Sequence, residues 1–291
     1  MKKNNFKLFF VMVTVIMVVL FGSVFTSCSN DDDLLLAGDP QTEQVSTNCH
    51  ELSAKEAIEY VSSMYGAKKE NIVYADSILI VDDDIVFDIK SIENVINQCT
   101  TRAHHSTPIV PLQCTNIAVY PQLSGNNALP NAWYIALLQA LVQWNNLGGP
   151  VHFSVISSIN QVYNYDWFIA VTYETPYQST SVAQAQFPTA VNKCGSWIRI
   201  NPVLPSDVQS FTADQKTHIC IHEIGHTIGF GHTDPDPDEG LPVISVPDIY
   251  LFDPPHDGTS VMREGYPTST TYSTFFSPGD IKAYQILYNW N

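Results

Sequence analysis

The sequence predicts an α+β fold: a twisted, mainly five-stranded sheet with long helices above it, a loop-rich C-terminal part below it, and a small α/β region in front. Three observations predict this. Five short runs rich in β-branched and aromatic residues, 115–120, 151–156, 167–173, 181–187 and 196–200, are separated by turn-forming residues. Helical patterns with start signals mark 131–144 and 212–229. The stretch 233–291 is mostly irregular, broken by Pro and Asp, until one last helical pattern closes it. Aromatic residues, 11% of the chain, suffice for a packed core and exclude general disorder.

The chain opens on a targeting pattern. Lys2, Lys3 and Lys7 precede an apolar run from Leu8 to Phe21, and small residues lead to Cys28. This predicts a cleaved signal over 1–27; the run is at the short edge for a membrane span. Thr26-Ser27-Cys28 resembles a bacterial lipobox, which implies lipidation of Cys28 and a membrane anchor there. Ser29-Asn30-Asp31-Asp32-Asp33 is similar to the acidic signal that sends lipoproteins to the outer face of the outer membrane. The same residues also read as the start of a solvated tether over 28–48.

Residues 49–113 form a small leading region. Leu52, Ala57, Ile58, Val61 and Met64 recur at helical spacing over 51–64, and Ser53 with Glu56 gives a capping-box start. Three β-like runs follow, 72–74, 77–81 and 85–89, separated by acids. No catalytic constellation is visible inside this region. It reads as a propeptide, with a spacer or small binding module as the alternatives, and 101–113 as an exposed connector where cleavage would occur.

In 114–291, Pro130 and Asn131 lead into a helix that places Trp133, Ile135, Ala136, Leu138, Ala140, Leu141 and Trp144 mostly on one packing face. Residues 145–150 stop it. Thr212-Ala213-Asp214-Gln215 is a capping box before the next helix. Ser277 as N-cap and Pro278 at the first turn start the last one, which carries Ile281, Tyr284, Ile286, Leu287 and Tyr288.

Charge narrows the partners. The chain has 13 Lys+Arg and 29 Asp+Glu. Removing the leader takes three lysines, leaving 10 basic against 29 acidic side chains, a net charge of −19. Nucleic acid, which needs basic stripes, is excluded as a partner.

The chemistry is concentrated in His222-Glu223-Ile224-Gly225-His226-Thr227-Ile228-Gly229-Phe230-Gly231-His232. On a helix, His222 and His226 lie on one face and point two imidazoles at one metal ion. Gly229 ends the helix through a left-handed turn, so that His232 folds back as a third ligand. Three neutral nitrogens and one open position describe a catalytic zinc site. Glu223 sits beside the first ligand, placed to act as general base on a water at the open position.

The pattern H-E-x-x-H-x-x-G-x-x-H resembles the metzincin clan of zinc endopeptidases. Within it, HEIGHTIGFGHTD over 222–234 is similar to the dual-action HEIGH metallopeptidases of bacteria, and the resemblance extends over about 115–291. It implies a zinc protease domain with a methionine turn beneath the metal, at Ser260-Val261-Met262, and a peptide or protein substrate. It also implies an edge strand along the cleft at 181–187, where an extended substrate would add; an edge with no substrate role is the competing reading.

Other residues carry weaker readings. Tyr266, four residues after Met262, is a candidate oxyanion donor, although the family's tyrosine position two after the methionine holds Glu264 here. His218, one turn before His222, reads as a rim residue rather than a ligand. His152 and His256 have no ligand spacing. Asp234, Asp236, Asp238 and Glu239 form an acidic loop that offers calcium oxygens without a defined cage. Beyond Cys28 there are Cys49, Cys99, Cys114, Cys194 and Cys220. Cys99 with Cys114 and Cys194 with Cys220 are candidate pairs, though the pairing stays open; Cys49 would then be left over, either unpaired or as a thiolate on the open zinc position.

The sequence therefore predicts an exported, lipid-anchored, zinc-dependent endopeptidase at the outer membrane, made as a zymogen, with the oligomeric state open. Two alternatives remain: a surface-binding lipoprotein with a vestigial metal site, and a zinc amidase acting on cell-wall cross-links.

Overall fold

The computed structural model describes residues 52–65, 67–93, 115–177, 181–188, 194–203, 210–232, 259–263, 265 and 272–288. All belong to one compact unit, Asn48–Asn291. The leader, Cys28 and the tether lie outside the described residues, as do Cys49, Cys99, Cys114, the acidic loop from Asp234 to Glu239, His256 and Tyr266.

The leading region forms helix α1 (Ala54–Tyr65) and the strands β1 (Ile72–Ala75), β2 (Ile78–Val81) and β3 (Ile85–Asp88). The rest contributes β4 (Asn116–Pro121), α2 (Asn131–Asn146), β5 (His152–Val155), β6 (Trp167–Tyr173), β7 (Ala183–Gln186), β8 (Trp197–Ile200), α3 (Ala213–Thr227) and α4 (Pro278–Leu287). Among the described residues no helix is long and apolar enough to cross a membrane.

The five strands expected in the second part are present, in the order β7-β8-β6-β4-β5. The sheet, however, has eight strands: β1, β2 and β3 extend it beyond β7. Two tight turns make the β1–β2–β3 meander, with Asp76, Ser77, Asp82 and Asp83 in the left-handed region that Asp tolerates better than most residues. β3 then pairs with β7 in parallel register, Ile85 opposite Ala185 and Val86 opposite Gln186. The predicted edge strand is thus interior, flanked by β3 and β8.

Two main cores lie along this sheet, with a small third cluster of Ile78, Ile80 and Val86 against Ala75 and Trp197. The larger gathers Ile117, Val119, Ile169, Val171, Ile198 and Ile200 from the strands with the buried faces of α2, α3 and α4. On α2 that face is Trp133, Ala136, Leu137, Ala140, Leu141 and Trp144; Ile135 is exposed and Leu138 only half-buried, because the buried stripe is narrower than the apolar content of the helix. Trp144 is the hub of this core. Its ring meets Phe276 and Phe230 edge-on at 4.5 and 5.4 Å between centroids, and its Nε1 donates to Ile221 O at 3.1 Å. A buried indole thus has its polar atom satisfied by the helix that carries the histidines. The smaller core consists of Ala57, Val61, Ile72, Leu79, Val81, Ile85, Phe87, Ile89 and Ile92, with Phe187 from the end of β7.

Candidate metal centre

The capping box predicted for α3 forms in both directions: Thr212 Oγ1 accepts from Gln215 N at 3.2 Å and Gln215 Oε1 from Thr212 N at 2.8 Å. The helix carries His222, Glu223 and His226 into the protein, all buried. It ends in a Schellman arrangement. Gly229 takes φ 99°, Phe230 N donates to Gly225 O at 3.0 Å, and Gly229 N donates to His226 O at 3.1 Å. The reversal returns His232 to the other two, with ring centroids 5.2 Å from His222 and 5.0 Å from His226.

The ring nitrogens are sorted by their partners. His222 Nδ1 donates to Val261 O at 2.9 Å and His226 Nδ1 donates to Phe230 O at 2.7 Å. A carbonyl can only accept, so both Nδ1 atoms carry hydrogen and both Nε2 atoms of the neutral rings present lone pairs. His226 Nε2 lies 2.8 Å and His232 Nε2 3.3 Å from His222 Nε2. Lone pairs converging at that distance call for a cation between them. Nitrogens about 2.0–2.1 Å from a tetrahedral zinc stand roughly 3.3 Å apart, so the donor set fits such an ion.

A fourth donor, not foreseen, completes the group. Asp84, in the turn before β3, places Oδ2 at 3.4 Å from His222 Nε2, 3.3 Å from His232 Nε2 and 3.9 Å from His226 Nε2. Asp84, His222, His226 and His232 can together hold a metal ion. Burial alone would push the Asp84 carboxyl up, but the three histidines outweigh it and hold it below the usual carboxylate range. For His232, burial opposes charge, while Asp84 and then Asp82 raise its pKa well above the usual value. His226 is driven well below its usual value by burial first and by His222 second.

Glu223 stands beside this group with Oε2 buried and without a hydrogen-bond partner among the described residues. Its pKa is raised well above the usual range by burial and then by the charge of Asp84, against His232. Beneath the helix, Met262 is fully buried and fills the space left by Gly225: a Cβ there would meet Met262 Sδ at 2.4 Å. The turn carrying Met262 is fixed from α4. Asp280 accepts from Ser260 Oγ at 2.5 Å and from Val261 N at 3.0 Å, and Val261 in turn orients His222.

The remaining candidates separate. His218 is buried, donates from Nδ1 to Ser273 O at 2.6 Å and takes no place among the four ligand candidates. His152 is exposed on β5. Cys194 and Cys220 are buried but not bonded to each other; the link between the start of β8 and the end of α3 is instead the hydrogen bond from Gly195 N to Thr227 O at 2.7 Å. Burial, with Glu223 nearby, pushes the Cys220 thiol up, so it is not a thiolate ligand.

The profile of the dual-action HEIGH metallo-peptidase family matches residues 79–236, just over half of the 291-residue chain. The chain belongs to this family. It is therefore a metallopeptidase, a hydrolase that acts on peptide or protein substrates through a bound metal. The matched span begins earlier and ends earlier than the 115–291 expected from sequence: it takes in β2, β3 and Asp84, and stops short of Met262. No curated protein matches the chain. Among solved structures it is similar to one described as the crystal structure of myroilysin, at 14% identity and a TM-score of 0.34, covering 62% of this chain and 84% of that one.

Proposed function

We propose that this HEIGH metallopeptidase is an exported zinc-dependent endopeptidase in which His222, His226 and His232 hold the zinc and Glu223 is the general base. The observation that carries the reading is the convergence of three Nε2 atoms, two of them in rings oriented by backbone carbonyls, beside a buried carboxylate with an unpartnered oxygen. Zinc bound there supplies Lewis acidity and a water made nucleophilic near neutral pH.

Glu223 then does the proton work. Its carboxylate takes the proton from the water as the oxygen bonds to the scissile carbonyl carbon, and delivers it to the amide nitrogen as the C–N bond breaks. The carbonyl hydrogen bonds to His222 and His226 fix the ring orientation that the ligands need. Met262 against Gly225 supports the helix from below, and Asp280 holds the turn on which Met262 sits.

Export rests on the leader and on Cys28, which we infer is the lipid-anchored first residue of the mature chain at the outer membrane, on the cell surface. Glu223→Gln tests the catalytic assignment. The variant is expected to keep its zinc and, compared with wild type after limited proteolysis of the leading region, to lose about 10²–10⁴-fold in peptide cleavage, measured by metal analysis and a fluorogenic peptide assay. His226→Ala is expected to lose both. Near-full activity in the glutamine variant would sink the role of Glu223.

A further inference from the structure

Resting on the metallopeptidase reading of this site, we propose that residues 52–93 hold the enzyme latent: the Asp84 carboxylate is the fourth metal ligand, and β3 fills the track along β7 that an extended peptide substrate takes.

The geometry carries both halves. Asp84 Oδ2 stands within 3.3–3.9 Å of all three Nε2 atoms, about the edge length of a tetrahedral zinc shell. Asp84 Oδ1 is buried and has no hydrogen-bond partner among the described residues, while Oδ2 is turned to the three histidines. Its backbone is tied down on both sides. Asp83 O accepts from Ser181 Oγ at 2.5 Å and from Gln184 Nε2 at 2.7 Å, Ala185 N donates to Asp84 O at 3.0 Å, and Phe187 N donates to Val86 O at 2.9 Å. Ala185 N in β7 and Phe187 N just past its end are the backbone N–H groups on this side of the strand, the groups an added peptide strand would use.

The arrangement blocks chemistry without being a substrate. The vertex that water and a scissile carbonyl need is taken by a carboxylate, which offers no amide bond to cut. The left-handed residues Asp82 and Asp83 turn the chain so that a side chain, not the backbone, reaches the histidines. The segment is also separable. Its main core consists of residues between Ala57 and Ile92 plus Phe187, a small patch of Ile78, Ile80 and Val86 meets Trp197 of β8, and the larger core around α2, α3 and α4 takes none of these buried residues. The larger core thus keeps its own packing when the leading region is lifted away, which leaves β7 as an edge and the fourth vertex open.

The test uses the full chain loaded with Co(II), whose visible absorption reports coordination, titrated with acetohydroxamate as a ligand for an open vertex. Wild type is expected to show little change, and Asp84→Ala to bind the hydroxamate at least roughly ten-fold more tightly, as expected when one charged ligand is removed. Asp84→Asn, which keeps the side-chain shape and every backbone contact of the turn, should fall between them and guards against misfolding of the alanine variant. Equal hydroxamate binding by all three chains would overturn the proposal. Peptide cleavage by the zinc forms separates its failure from that of the peptidase reading. Tight hydroxamate binding by Asp84→Ala, with no cleavage even after limited proteolysis has removed the leading region and freed β7, would uphold the coordination and sink the peptidase. Cleavage by wild type at the Asp84→Ala rate, with equal hydroxamate binding, would do the reverse.

Discussion

Gly225 sits where two demands meet: it lies between the two helical histidines and directly over the Met262 sulfur, so any side chain there collides with the support of the site. Gly225→Ala is expected to cost about 1–3 kcal/mol, the usual range for overpacking a filled core, and to lower metal retention; urea unfolding and dialysis against a weak chelator measure both. Met262→Leu should cost under about 1.5 kcal/mol because volume is kept, and Met262→Ala about 2–5 kcal/mol because a cavity opens. His218 gives a pH dependence of known sign. Burial, opposed by the hydrogen bond to Ser273 and reinforced by His222, pushes its pKa down to about 4 from 6.5. Between those values the unfolded chain binds the proton and the folded one does not, so stability rises with pH across that window and falls as pH drops from 6.5 toward 4. His218→Gln should flatten this part of the stability curve, by up to about 3 kcal/mol at its acid end. Denaturant titrations at pH 4.5 and pH 7 would show it, and an unchanged slope would mean that the ring accepts its proton without penalty.

At the scale of elements, α3 is held by local signals at both ends. Thr212→Ala removes the reciprocal cap and should cost about 1 kcal/mol. Gly229→Ala forces φ 99° on a residue with a Cβ and should cost more than about 1 kcal/mol, while also misplacing His232. These features were legible in the sequence because each is written within a few residues: cap, apolar face, glycine stop and ligand spacing all lie inside 212–232. The helix over 51–64, the five strands and the Ser277-Pro278 start were legible for the same reason. Asp84 was not. Three consecutive acids between two apolar runs look like any solvated turn, and only the pairing of β3 with β7, about 100 residues away, shows where the turn points. The same pairing explains why β7 was expected at an edge and lies inside the sheet. Ile135 was misassigned for a smaller reason: α2 is apolar nearly all round, so periodicity did not single out the buried stripe.

The described residues form one sheet with two main cores, and the candidate metal centre joins them: its histidines come from α3 and the turn after it, packed in the larger core, and Asp84 from the turn between β2 and β3, which belong to the smaller. Because the cores meet mainly at the β3–β7 seam and where Trp197 packs on Ile78, Ile80 and Val86, they should respond separately. Val61→Ala, deep in the smaller core, is expected to lower hydrogen-exchange protection across 72–88 while that of α3 stays unchanged. The measurement that bears most directly on the central claim is zinc content and peptide cleavage of Asp84→Ala beside the double variant Asp84→Ala, Glu223→Gln, each after limited proteolysis has removed the leading region from β7. Both chains should bind about one zinc, as three histidine ligands require, and the second should cleave about 10²–10⁴-fold more slowly. Equal cleavage by the two, or the absence of zinc from both, would contradict the account.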